Sequence, residues 1–154
     1  MELTEFLAPE AILANVRAGG KKPVLAELAR KAGELAGIDE RLVLDVVLER
    51  ERLGTTGVGN GIAIPHGKLV GLKRLYGVFA RLEKPVDFDA IDAQPVDLIF
   101  LLLAPEGAGA DHLKALARVS RLLRDRRVCE KLRGSDRAEA LYALLTEHAA
   151  SHAA

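Results

Sequence analysis

From Leu98 to Ala104 every residue of this chain is apolar, and Val96 extends the same run past a single Asp97. A membrane-spanning helix needs about 20 such residues, so the segment is far too short to cross a bilayer. It is short, rich in branched side chains and free of polar alternation, which predicts a strand covered on both faces. A strand of that kind has to be central in its sheet, with packed layers above and below it.

The rest of the chain supplies those layers. Pro23 suits the first turn of a helix, and Val24, Leu25, Leu28, Ala29, Ala32, Leu35 and Ala36 recur at helical spacing behind it. Asp39 is placed to cap a second helix with a buried face of Leu42, Val43, Val46 and Val47, running to about Leu53 and stopped by Gly54. Residues 11 to 17 fit a strand or a short helix. Ile62 to Ile64 reads as a short strand ended by Pro65, and Leu75 to Leu82 as a longer one. Asp111 can cap a helix from about His112 to Leu123, followed by helices near 128–132 and 136–145. The spacing therefore predicts one α/β domain over residues 1–154, a layered sandwich of mixed β-sheet with helices on both faces, and a frayed tail at 148–154.

Composition excludes several classes of partner. Lys and Arg number 22 against 22 Asp and Glu, which removes the basic surplus of a sequence-independent nucleic-acid or anionic-membrane binder. The single cysteine, Cys129, can form no internal disulfide and no Cys-rich metal site. With no signal-like N-terminus, a cytoplasmic location is expected, without membrane insertion.

The candidate chemistry clusters in and after the second helix. Gly54-Thr-Thr-Gly-Val-Gly-Asn-Gly61 offers Thr55, Thr56, Gly57, Gly59 and Asn60 as hydroxyl or N–H donors to an anion, or simply as a turn. Neither the Walker P-loop spacing nor the dinucleotide G-x-G-x-x-G pattern is present, which argues against a nucleotide-binding domain. His66 follows Pro65 and precedes Gly67, so it is either a nucleophile on bare backbone or a strand-end histidine bound to a carbonyl. Arg50 sits beside the apolar stripe of its helix, either snorkelling past the core edge or aiming a guanidinium at the Gly-rich segment. His112, in the first turn of its helix, is either a surface residue or a neutral imidazole beside an anion site. Asp87, Asp89 and Asp92 lack the glycine and glutamate of a calcium loop and read as turn residues.

The segment Arg50-Glu-Arg-Leu-Gly-Thr-Thr-Gly-Val-Gly-Asn-Gly-Ile-Ala-Ile-Pro-His66-Gly-Lys-Leu, with Phe88-Asp-Ala-Ile-Asp and His112-Leu, resembles the fructose and mannitol type of IIA domains of the bacterial phosphotransferase system. The nitrogen-regulatory branch is the nearest in pattern. That resemblance implies a phosphoryl group accepted by His66 from a small phosphohistidine carrier protein, with Arg50 and His112 steadying it. It implies no metal and no other cofactor. Regulatory targets such as ion-transport or sensor proteins are the implied partners. Two rivals stay open: a sugar-specific IIA component that passes the group to a IIB domain, and a binding module whose affinity changes with the charge on His66. An apolar docking patch for the carrier is expected among Leu53, Val58, Leu69 and Val70.

Overall fold

The computed structural model describes the backbone of residues 1–153 and the side chains of residues 1–147; of the tail expected to fray at 148–154, the side chains and residue 154 lie outside what is described. Two short 3-10 turns, Leu3–Glu5 and Pro9–Ala11, lead into β1 (Ile12–Val16), which resolves the ambiguity at 11–17 in favour of a strand. Helices α1 (Lys21–Ala36) and α2 (Glu40–Leu53) follow, then β2 (Gly57–Gly59), β3 (Ile62–Ala63), β4 (His66–Leu69), β5 (Tyr76–Val86) and β6 (Val96–Pro105). Helices α3 (Gly109–Leu123), α4 (Arg126–Arg133) and α5 (Ala138–Ala153) complete the domain.

The strands form one mixed sheet in the order β1-β5-β6-β3-β2, with β4 also on β6. β6 is central, and Leu98 to Ala104 are at most 1% exposed. β5 runs antiparallel to it, and β3 and β4 run parallel on its other side. β3 and β4 behave as one strand broken at Ile64-Pro65. The Ile64 N–H turns to the Thr56 carbonyl at 3.0 Å, and Pro65, which has no N–H to give, offers its carbonyl to Leu102 N–H at 3.0 Å. The ladder then resumes at His66 opposite Leu102. Ending the strand at Pro65, as the sequence suggested, misses this resumption.

Helices cover both faces, as consecutive residues of β4 demonstrate. A Cβ on Gly67 would lie 2.5 Å from Val46 Cγ1 of α2, whereas the His66 ring, on the opposite face, meets His112 of α3. Asp39 caps α2 by accepting from Arg41 N–H at 2.9 Å. Leu42 departs from its expected place on the buried face, being 53% exposed, while Val43 and Val47 carry the burial. α3 begins at Gly109, three residues before the expected start, so Asp111 lies inside the first turn rather than capping it, and no side chain caps that helix. α5 likewise continues to Ala153, past Leu145.

Candidate functional site

His66 opens β4 near the carboxyl end of the central strand, where α3 also begins. Its Nδ1 lies 2.9 Å from the Ile64 carbonyl oxygen. A carbonyl can only accept, so this bond requires Nδ1–H and leaves the lone pair on Nε2. The half-buried ring is thus a strand-end histidine held by a carbonyl through one nitrogen, with the lone pair left on the other.

Across from it stands His112, 5.7 Å between ring centroids and tilted by 66°. His112 is 6% exposed, so the surface alternative is removed. Its Nε2 is buried and has no hydrogen-bond partner, an arrangement that is costly unless a ligand completes it. Burial lowers its pKa below the ordinary imidazole value, and repulsion from His66 and then from Lys68 lowers it further. A neutral imidazole with an orphaned nitrogen, close to a lysine and a second imidazole, is suited to an anion.

Arg50 reaches this end of the molecule through α2. Val46 packs on Gly67, and Arg50 follows Val46 by four residues on the same helical face. Its guanidinium donates to the Gly54 carbonyl at 2.9 Å, fixing the entrance to the Gly-rich segment. Arg52 instead pairs with exposed Glu49, in keeping with a solvent-facing role.

The Gly-rich segment is divided by its own hairpin. β2 pairs antiparallel with β3, which brings Gly54 to Gly57 back beside Ile64 and the His66 end. Thr55 Oγ1 donates to the Phe88 carbonyl at 2.9 Å and accepts from Gly57 N–H at 3.0 Å. Thr56 is buried, and its hydroxyl donates to Glu51. Both hydroxyl protons are thus engaged within the fold. Gly59 and Asn60 lie at the other end. Gly61 O accepts from Leu98 N–H, and Pro65 O from Leu102 N–H, so four residues of strand, about 13 Å, separate the turn from His66. Asn60 has φ 57°, donates its N–H to Asp92 and gives its carbonyl to Arg133. These two residues shape a turn and do not reach the imidazole. Asp87 and Asp92 also accept from backbone N–H groups two residues on, as turn residues do.

Two residues near the site escape sequence reasoning. Lys68 shares a face of β4 with His66 and acts on His112, but a lysine in a strand carries no motif. Glu51 reads as an ordinary helix charge, yet its side chain is 5% exposed, paired with Lys21 at 2.8 Å and bonded to Thr56. Among the described residues, no group of three His, Cys, Asp or Glu could hold a metal ion, and no helix is long and apolar enough to cross a membrane. Of the expected docking residues, Leu53 and Val70 are 85% and 75% exposed and Val58 is 49% exposed, but Leu69 is buried. Leu113, beside His112 and 69% exposed, is a further apolar surface residue.

Comparison with known proteins agrees in fold and length. The family model for the phosphoenolpyruvate-dependent sugar phosphotransferase system, EIIA 2, matches residues 5–148. A nitrogen regulatory protein of Bradyrhizobium diazoefficiens is 60% identical over 145 residues, covering 94% of this chain and 95% of that protein. One from Klebsiella oxytoca is 42% identical over 148 residues, covering 96% of this chain and 91% of its own length. The crystal structure of nitrogen regulatory protein IIA-Ntr from Neisseria meningitidis superimposes with a TM-score of 0.89 at 36% identity, covering 94% of this chain and 99% of that one.

Proposed function

This chain belongs to the EIIA 2 family of the phosphoenolpyruvate-dependent sugar phosphotransferase system, and on that premise we propose that His66 takes a phosphoryl group from a phosphohistidine carrier protein and that partner proteins respond to its phosphorylation state. The observation that carries this reading is the His66–His112 pair: one ring with its Nδ1 tied to a carbonyl, the other with a buried, unpartnered Nε2.

Phosphoryl transfer asks a protein mainly for positioning and for stabilisation of charge. His66 Nε2 attacks phosphorus in line, a P–N bond forms to it, and the P–N bond to the carrier's histidine breaks, that ring, protonated on its other nitrogen, leaving as neutral imidazole. Nδ1 keeps its proton throughout. His112 Nε2 supplies a hydrogen bond to a phosphoryl oxygen, and Arg50 and Lys68 offset the charge on the equatorial oxygens. The scheme draws on no metal. The names of the two nitrogen regulatory relatives support a regulatory output over sugar uptake, with ion-transport or sensor proteins as the targets.

Incubation with phosphoenolpyruvate and the upstream relay proteins should place one acid-labile, base-stable phosphate on His66. His66→Ala should abolish it while the circular dichroism spectrum is kept. A variant that still gains the phosphate on the same timescale removes His66 from the mechanism, and onward donation to a IIB domain reassigns the output to sugar transport.

A further inference from the structure

We propose that Glu51 is a positioning residue for His66, acting through a continuous chain of hydrogen bonds that begins at a buried ion pair and ends on the reactive imidazole. The proposal rests on the phosphoryl-accepting role of His66 and adds what holds that ring in its reactive form.

Each link is visible. Lys21 Nζ lies 2.8 Å from Glu51 Oε2, with the lysine 21% and the glutamate 5% exposed, and the same ammonium stands 4.6 Å over the Phe88 ring. The carboxylate accepts from Thr56 N–H at 3.2 Å and from the Thr56 hydroxyl. The Thr56 carbonyl accepts from Ile64 N–H at 3.0 Å. The Ile64 carbonyl then accepts from His66 Nδ1–H at 2.9 Å. A buried carboxylate is expensive unless paired and fully hydrogen-bonded, and this one spends its acceptors on a single residue, Thr56, and on Lys21.

That arrangement is stronger than turn formation requires. Thr56 and Ile64 face each other just beyond β3, and no further ladder bond from β2 restrains the Ile64-Pro65 peptide on that side, while Leu102 N–H holds the Pro65 carbonyl on the other. Fixing Thr56 from behind fixes the Ile64 carbonyl, and that carbonyl selects the Nδ1–H tautomer. Only this tautomer presents a lone pair at Nε2 toward the arriving phosphorus. Glu51 touches neither the phosphoryl group nor His66 in this scheme; it sets the fraction of molecules that carry the competent imidazole.

Long-range 1H–15N spectra of protein labelled with [15N]histidine report the His66 tautomer directly, without any carrier. Wild type, Glu51→Ala, the isosteric Glu51→Gln and the control Glu49→Gln, at an exposed glutamate of the same helix, should be compared at pH 8. Wild type and the control should show Nδ1–H at His66, with Nε2–H appearing in Glu51→Gln and more strongly in Glu51→Ala. Initial phosphorylation rates should fall about threefold and about tenfold in those two variants, in the range set by small misplacements of a reacting group. An unchanged tautomer and rate in either folded Glu51 variant overturns the proposal, as does a wild-type His66 found in the Nε2–H form whatever the variants do. A wild-type chain that takes no phosphate on His66 overturns the proposed function instead, and the tautomer spectra still decide whether Glu51 controls the ring.

Discussion

The roles proposed for His66 and His112 differ because their rings sit in different surroundings. His66 is half-buried at the start of a strand, whereas His112 is nearly enclosed, and enclosure favours the uncharged imidazole. The lowered pKa of His112 has a defined consequence for stability. The unfolded chain binds a proton at the ordinary value near 6.5, while the folded chain resists until lower pH. Stability is therefore untouched by this group well above pH 6.5 and is lost as pH falls from there toward the folded value. His112→Gln should show a shallower decline of Tm between pH 7.5 and pH 5.5 than the wild type, and parallel slopes would show that His112 titrates as in the unfolded chain. At this scale the sequence was informative about His66, Arg50 and His112, whose types and surroundings are unusual for their positions. It was silent on Glu51 and Lys68, because helix and strand surfaces carry such charges routinely and only burial or a neighbour distinguishes them.

Among the elements, the contact between α2 and β4 decides whether Arg50 and His66 share one end of the molecule. Gly67 makes it possible, since a Cβ there would come within 2.5 Å of Val46 Cγ1. A methyl group at that distance forces the helix and the strand apart, and overpacking of this kind costs about 1–3 kcal/mol. Urea unfolding should find Gly67→Ala destabilised by about that amount, with Val46→Ala in the same background recovering most of the loss. Additive losses in the double variant would place the strain elsewhere. The long elements were legible for ordinary reasons: α1 and α2 carry apolar stripes at helical spacing, and β6 is apolar throughout. β4 was not, because His66-Gly-Lys-Leu has no strand propensity to speak of and is recruited by the unpaired edge of β6 just past a proline. The start of α3 departs from the expected one for a local reason: Asp111 looks like a cap, yet the turn Ala108–Asp111 closes first through the Ala108 carbonyl, leaving the aspartate inside the helix. Tertiary pairing with β6 decides β4, whereas a local turn decides where α3 begins.

Across the whole molecule, charge is balanced but apolar exposure is not evenly placed. Leu53 closes α2 immediately before the Gly54 carbonyl that Arg50 holds, and Leu113 follows His112 on α3, so two strongly exposed leucines flank the residues proposed to receive the phosphoryl group. The proposed carrier, in bringing its own histidine against His66, is expected to cover both. Exposed leucines buried at the centre of such a contact are each capable of contributing about 1 kcal/mol to docking, which is roughly fivefold in affinity for each. The substitutions Leu53→Glu and Leu113→Glu together should raise the KM for the phosphorylated carrier by at least about tenfold and leave Tm nearly unchanged, because neither side chain is in the core. Phosphoramidate, a donor too small to touch either residue, should phosphorylate the double variant at the wild-type rate. That pairing of results separates docking from chemistry: a loss with both donors would put the leucines in the site itself, and a loss with neither would put the carrier on another face.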